Sequence, residues 1–214
     1  MNNVLLSTVY LGPVEYYTWL INTPVAWIDI FENYTKQTYR NRCIISGANG
    51  PVTLVIPVVK GRDSKTQIKD TMISYDTGWQ RIHWKTIFSA YGSSPFFRYY
   101  DTDIQYFYKQ RQWKYLIDFN TDIQEKVLEL LGISPVIDKT EAFELTDHPV
   151  INVREKINPI NKTAGAREDF LPYPYHQVFS DRFGFQPNLS VIDLLFNEGP
   201  DSLAILRKGK LASG

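Results

Sequence analysis

His83 is the residue best suited by type to acid-base chemistry, because an imidazole titrates near neutral pH. It lies between Trp79 and Trp84 in the segment GWQRIHWKTI. A helical wheel at about 100° per residue puts His83 in the apolar arc, and Arg81 and Lys85 in the polar wedge. A buried, neutral imidazole could take a proton from a substrate. It could equally be a core histidine bonded to backbone or tyrosine groups, and the pattern leaves both roles open.

Three arginines are candidates for binding an anionic substrate. If the segment around Cys43 is a strand, alternation places Arg40 and Arg42 on one face. A guanidinium fork matches the oxygens of a phosphate or carboxylate ligand, and it matches a local Asp or Glu equally well. Arg154 lies in a loop-like segment, where it could act as a lid residue or be solvated. Cys43 itself alternates with apolar residues, which predicts a buried, inert thiol.

Composition limits the classes of function. Positive and negative side chains are equal, 23 each, so no net charge favours nucleic acid or an anionic membrane as a partner. No segment has the roughly 20 apolar residues of a membrane span, and with a single cysteine we expect a cytoplasmic protein. The three histidines lack metal-ligand spacing, so no metal is expected, and the sequence leaves any cofactor undetermined. The 14 Tyr, 12 Phe and 5 Trp suit either a core or a small-molecule pocket.

The N-terminal part is predicted to form strands and one short helix. Apolar β-branched runs predict strands over residues 4–9 and 25–30, with a helix near 14–20 between them. Gly47-Ala48-Asn49-Gly50 is typical of a hairpin turn joining strands 42–46 and 52–58. We also expect residues 68–74 to pair with this hairpin.

The remainder is predicted to be mainly helical. Periodicity predicts helices over Trp79–Tyr91, 96–107 and Leu116–Leu131, then a helix capped by Ser190 and a last one at 202–207. Residues 138–175 are polar and proline-rich, which predicts a long irregular loop, and the C-terminal tail is expected to fray. We therefore predict a single α/β domain over residues 1–214, with an N-terminal mixed β-sheet containing a hairpin and a mainly helical C-terminal half.

Five blocks of the sequence together resemble the WbqC-like family of bacterial proteins. They span most of the chain, and the combination of RNR with HWKTI is the most specific part. The blocks are Tyr10-Leu11 with Tyr16-Tyr17, Thr38 to Arg42, Asn49-Gly50 with Leu54 to Val58, Trp79 to Ile87, and Asn188 to Asn197.

The resemblance implies a pathway more than a reaction. Family members are associated with loci for O-antigen and other surface polysaccharides, and glycine transfer has been suggested for one. Many members have a His-Gln-Pro-x-Tyr pattern where this chain has Leu6-Ser7-Thr8-Val9-Tyr10. The tyrosine is present and the histidine is absent, which makes His83 the one imidazole that matches the family blocks.

The resulting hypothesis is an enzyme of surface-glycan precursor modification, an acyl- or aminoacyl-type transferase acting on an amino sugar or its nucleotide conjugate. His83 would be the base that deprotonates the acceptor amine. The predicted substrate-binding residues are Tyr10, Tyr39, Arg40, Asn41, Arg42, Trp79, Trp84 and Arg154. Two alternatives are a non-catalytic protein that binds a sugar or nucleotide sugar, and a scaffold within a biosynthetic complex. The sequence does not determine the oligomeric state.

Overall fold

A computed structural model describes residues 2–59, 66–141, 150–159 and 170–211. The segment 60–65, which the sequence suggests as a basic flap or solvated loop, and His148 lie outside the described residues. The described residues form eight strands: β1 (Asn3–Ser7), β2 (Ala26–Asp29), β3 (Arg42–Gly47), β4 (Gly50–Val55), β5 (Ile137–Lys139), β6 (Val150–Asn152), β7 (Phe170–Leu171) and β8 (Lys210–Leu211). They also form seven α-helices: α1 (Val14–Asn22), α2 (Trp79–Tyr91), α3 (Phe97–Lys109), α4 (Leu116–Leu131), α5 (Ser180–Phe183), α6 (Val191–Glu198) and α7 (Ser202–Lys208).

A four-stranded parallel sheet carries the candidate site, which lies at one of its edges. Its strand order is β5-β2-β1-β6, and every pairing in it is parallel. The apolar run Val4-Leu5-Leu6 of β1 is buried, as expected for an inner strand covered on both faces. The chain places β2 and β5 on one side of β1 and β6 on the other. The strand order therefore reverses between β1 and β6.

The predicted hairpin is confirmed, and it forms a separate sheet. Strands β3 and β4 pair antiparallel from Arg42–Val55 to Gly47–Gly50, which are the pairs at the two ends of the ladder. Residues 68–74 do not form the expected strand. Ile68–Asp70 is a 3-10 turn, and isolated bridges join Ile73 to Val58 and Met72 to Tyr115.

The α/β fold class, with an N-terminal sheet region and a mainly helical second half, is confirmed. Helices α2 and α4 have the predicted bounds, α1, α3, α6 and α7 agree within a few residues, and α5 was not predicted. Strands β6 and β7, which were not predicted, lie inside the segment expected to be an irregular loop. The tail was expected to fray after the last helix, but it is ordered as far as Leu211, because β8 pairs with β7.

Of two predicted helix caps, one is wrong in position and the other is right in position only. The sequence favours Asp76 or Thr77 as the N-cap of α2, but the helix begins after Gly78, which has a left-handed backbone (φ 58°). Ser190 is the N-cap residue of α6, as predicted, but its side chain does not bond the helix, because its hydroxyl donates to the carbonyl of Leu11 (2.7 Å). A hydrogen bond to another part of the fold thus replaces side-chain capping at Ser190.

Replacement of Gly199 by alanine should strongly destabilise the fold. Gly199 has φ +52°, and a Cβ there would lie 2.4 Å from the ring of Phe96. We expect Gly199→Ala to lower the free energy of unfolding by about 3 kcal/mol or more, from left-handed strain plus overpacking. Urea denaturation measures this.

Gly132→Ala is the matched control. Gly132 also has a left-handed backbone (φ +67°), but a Cβ there would meet no atom of the described residues within 4 Å. We expect a loss of only about 1 kcal/mol for this variant, from backbone strain alone. Equal losses in the two variants would contradict the assignment of a steric contact at Gly199.

Candidate functional site

The carboxyl ends of the parallel strands form the candidate site. β1 ends at Ser7, β2 ends at Asp29, and β6 is followed by Arg154. Because the strands are parallel, these ends share one edge of the sheet. In open parallel sheets a crevice forms where the strand order reverses, and ligands bind there. Here that reversal lies between β1 and β6.

A buried ion pair between Glu32 and Arg40 lies beside this crevice. Arg40 Nε donates to Glu32 Oε1 (2.8 Å), and Arg40 Nη2 donates to Glu32 Oε2 (2.6 Å). Both residues are buried, and burial raises the pKa of the Glu32 carboxyl, which the hydrogen bonds from Arg40 counteract. Arg40 lies in the turn before β3, so the expectation that Arg40 and Arg42 share one strand face is wrong.

A second ion pair crosses the edge of the sheet. Arg154 Nη1 contacts Asp29 Oδ2, and Arg154 Nε donates to Asn152 Oδ1 (3.2 Å). The next residue, Glu155, lies 3.2 Å from Arg40 Nη2 through Oε1. Residues 153–157, which we call the strap, therefore reach two opposite charges with two consecutive side chains.

The strap covers a small cavity of about 10 Å³, which is room for about one water molecule. Ser7 lies on its wall, and the Ser7 hydroxyl donates to Glu32 Oε2 (3.1 Å). The polar residues of the wall are mostly hydrogen-bond donors. They are Ser7, Thr8, Tyr16, Thr38, Tyr39, Arg40 and Arg154.

His83 lies outside this cavity and is 4% exposed. Its Nε2 is 3.1 Å from the carbonyl of Val55, which can only accept, so we assign the proton to Nε2. Its Nδ1 then accepts from the hydroxyl of Tyr10 (2.9 Å). Burial lowers the pKa of His83 to about 4, so the ring is neutral at pH 7. This geometry favours the core role for His83, and its role as a base stays a prediction.

Tyr10 and Trp79 contact His83, and Trp84 is joined to it through Tyr108, in what we call the aromatic cluster. The Tyr10 hydroxyl donates its hydrogen bond to His83. The Tyr108 hydroxyl therefore donates to the Tyr10 oxygen (2.6 Å). Trp79 lies edge-on to His83 with ring centroids 5.0 Å apart, and Trp84 stacks on Tyr108 at 6.0 Å. Tyr10 and Trp79 are buried and Trp84 is half-buried, so the cluster is packed as core.

The other predicted binding residues are divided between the cavity and the hairpin. Tyr39 lines the cavity with Arg40 and Arg154. Asn41 Nδ2 donates to the carbonyl of Ile56 (2.8 Å), and Arg42 begins β3 with its Nε buried and without a hydrogen-bond partner in the described part of the chain. The eight predicted binding residues and His83 therefore do not form one pocket.

A model of the WbqC-like protein family matches residues 10–170 of the chain. The chain belongs to this family. It is also 25% identical over 209 residues to the uncharacterized protein Rv1507c of Mycobacterium tuberculosis, covering 86% of this chain and 90% of that protein. No solved structure matches the chain. The resemblance expected from the sequence is thus confirmed at the level of the family.

The segment that the sequence analysis compares with the motif His-Gln-Pro-x-Tyr lies at the cavity. Leu6, the residue expected there in place of the histidine, lines the cavity wall. Tyr10, the matching tyrosine, points into the aromatic cluster.

Sequence reasoning missed the carboxylates of the site. Asp29 could have been found, because it comes next to the end of the predicted strand 25–30, whereas Ser7 lies inside the predicted strand 4–9 and ends the observed β1. Glu32 and Glu155 carry no local signal, since each is defined by its contact with Arg40. Asn120 of α4 was also missed: its Nδ2 donates to the carbonyl of Arg40 (2.8 Å) and to Thr8 Oγ1 (3.2 Å).

Asp193 forms a separate buried network. Its carboxylate accepts hydrogen bonds from the hydroxyls of Tyr91 (2.8 Å) and Tyr175 (2.7 Å) and from Gln177 Nε2 (3.0 Å). Burial raises its pKa to about 6, against the lowering effect of these hydrogen bonds. The network joins the segment before α5 to α2 and α6. These contacts explain the buried Asp193 carboxylate as a structural element of the fold.

Metal-ligating side chains are scattered through the described ranges. In those ranges no group of three or more His, Cys, Asp and Glu side chains is arranged to hold a metal ion. Among the helices of the same ranges, none combines the length and the apolar character that a bilayer span needs. Cys43 is fully buried, and burial raises the pKa of its thiol.

His83 should make the protein less stable in mild acid. The pKa of His83 is about 4 in the folded protein, against an ordinary value of 6.5. Between these two pH values His83 is therefore mostly protonated in the unfolded chain and mostly neutral in the folded protein. The contribution of the neutral His83 to the free energy of unfolding is fully present above about pH 6.5 and is lost as the pH falls towards 4. We expect His83 to account for a loss of about 2 kcal/mol between pH 7 and pH 5.

Urea denaturation of His83→Gln at both pH values measures this contribution, because glutamine keeps a donor and an acceptor but does not titrate. Its pH dependence should be smaller than that of the wild type by the stated amount. His176→Gln is the control, since His176 is exposed. A pH dependence unchanged in His83→Gln would contradict the burial of a neutral imidazole.

Proposed function

We propose that this WbqC-like protein is an enzyme of surface-polysaccharide precursor biosynthesis that transfers an acyl or aminoacyl group to an amino sugar or its nucleotide conjugate. We place its substrate site at the crevice between β1 and β6, under the strap. The family association with O-antigen loci supports the pathway. The structural support is the set of charged and hydroxyl side chains gathered at the strand ends.

The position of Asp29, Glu32, Arg40 and Arg154 is the observation that carries this proposal. Four buried or half-buried charges at the reversal point of a parallel sheet need many specific contacts to be stable. They lie where ligands bind in such sheets, and arginine and hydroxyl donors face the cavity. Such donors suit the oxygens of sugars, phosphates and carboxylates.

Ser7 and Glu32 are the groups placed to move a proton. In the proposed step, the acceptor amine attacks the acyl carbon and a carbon–nitrogen bond forms as the bond to the donor's leaving group breaks. The amine proton passes to Ser7 Oγ while the Ser7 proton passes to Glu32, which the 3.1 Å contact allows. A buried carboxyl with a raised pKa is suited to hold that proton.

His83 and the aromatic cluster have a positioning role under this proposal. The Tyr10 N–H donates to the carbonyl of Tyr39 (2.9 Å), which joins the cluster to the cavity wall. A rigid cluster fixes the backbone of the residue next to Arg40. His83 would then affect the reaction through stability and geometry and not by proton transfer.

A non-catalytic sugar-binding protein is the second candidate. It is favoured by the engagement of both Glu32 oxygens with Arg40, which weakens that carboxylate as a base. A thermal-shift screen of nucleotide sugars with acyl and aminoacyl donors detects binding, because binding stabilises the fold. A transfer assay on the same mixtures detects reaction, and the two together test both candidates. Binding with transfer supports the enzyme, binding without transfer supports the second candidate, and a wholly negative screen supports a scaffold.

Ser7→Ala should separate catalysis from binding. Removing the hydroxyl breaks the proton path and leaves the arginines in place, so we expect turnover to fall about 100-fold with little change in substrate affinity. Ser94→Ala is the matched control, because Ser94 is a buried serine whose hydroxyl has no hydrogen-bond partner among the described residues. Full activity in Ser7→Ala would rule out the relay.

His83→Gln distinguishes the two roles of the histidine. If the ring only supports the fold, the variant should keep turnover within about threefold at a temperature where it is folded, since its hydrogen-bond partners Tyr10 and Val55 can still be bonded. A loss of about 100-fold or more at unchanged substrate affinity would restore His83 as the base. Transfer assays and binding titrations on the same samples give both values.

A further inference from the structure

We infer that Arg154 is the anion-binding arginine of the crevice, and that it exchanges Asp29 for a phosphate or carboxylate group of the substrate. The Asp29–Arg154 pair then holds the strap closed when no substrate is bound. This inference rests on the proposed location of the substrate site. It names the chemical class that the site takes and the residue that selects it.

Exposure separates the two arginines of the cavity wall. The Arg40 side chain is 3% exposed and is held by both oxygens of Glu32 and by Glu155. The Arg154 side chain is 21% exposed. Releasing Arg40 would strand the buried charge of Glu32, which costs several kcal/mol. Arg154 can reach a ligand from solvent at a lower cost.

The Asp29 side chain is only 1% exposed, but it keeps other hydrogen-bond partners when its arginine leaves. Its Oδ1 accepts the backbone N–H groups of Phe31 (2.9 Å) and Glu32 (3.0 Å), and the Thr140 hydroxyl lies at 3.3 Å. These contacts do not involve Arg154, which is bound to the other oxygen, Oδ2. When Arg154 leaves, Asp29 keeps three partners, so its negative charge stays partly compensated.

The cavity has to widen before an anionic group can enter. Its volume of about 10 Å³ holds about one water molecule, and a phosphate has five heavy atoms. Val153, Arg154 and Ile157 of the strap form one part of its wall. Both ion pairs of the strap, to Asp29 and to Arg40, close that wall. Exchange at Arg154 therefore loosens the strap as the anion arrives.

Titration with inorganic phosphate and with acetate tests the exchange, using the full chain and isothermal calorimetry. Asp29→Asn removes the competing charge, so we expect phosphate or acetate to bind at least about fivefold more tightly than to the wild type. Arg154→Gln should bind it at least about tenfold more weakly. The anion with the larger change identifies the preferred group.

Matched controls remove the same charges elsewhere. Glu129→Gln removes a negative charge from an exposed pair with Lys126, and Arg207→Gln removes an exposed arginine on α7. Neither should change anion affinity by more than about twofold, because exposed charges are screened by salt. If Asp29→Asn does not fold, the comparison of Arg154→Gln with Arg207→Gln decides alone.

Wild-type affinity in Arg154→Gln, affinity in a folded Asp29→Asn no higher than in the wild type, or no anion binding by any variant would overturn the inference. The proposed function fails separately. If Asp29→Asn and Arg154→Gln behave as expected but no nucleotide sugar or acyl donor binds, the anion site stands without that function. If substrates bind and react in Arg154→Gln as in the wild type, the function stands without this inference.

Discussion

The buried pair of Glu32 and Arg40 is the constraint on which the site depends. An unpaired charge in the interior would cost several kcal/mol, so both side chains need their partners in place. Ser7 of β1 bonds the carboxylate, Asn120 of α4 bonds the Arg40 carbonyl, and Glu155 of the strap bonds the guanidinium. The residues that hold Glu32 and Arg40 in place thus come from a strand, a helix and the strap, and they meet at the same edge of the sheet.

Two polar networks with different chemistry meet at this edge. The network around Glu32 is charged and reaches the cavity, whereas the network around His83 is neutral and enclosed by rings. They are joined by the hydrogen bond from the Tyr10 N–H to the Tyr39 carbonyl. The neutral network can therefore keep the cavity wall rigid without adding charge to it, and the ionic contacts that can exchange are left on the solvent side.

The sequence predicted elements whose signals are local and missed those defined by distant contacts. Trp79–Tyr91 and Leu116–Leu131 have clear apolar periodicity, and Gly132 marks the end of the second. Strand β6 has three residues, too few for a period, and it exists through its pairing with β1. The partners of Arg40 were equally invisible, because hydrophobic patterning says nothing about which carboxylate a buried arginine meets. Arg154 was predicted from its type, but its contact with Asp29 was not.

The register of the parallel sheet has a consequence for how the protein folds. β1 meets β2 after one short helix, but its pairing with β6 joins Asn3 to Val150. Closing so long a loop is entropically costly, and contacts of large sequence separation slow folding. The crevice is bounded by this late pairing. During synthesis, the aromatic core around α2 and α4 can assemble while the crevice is still open, and the binding edge is incomplete until β6 and the strap have emerged.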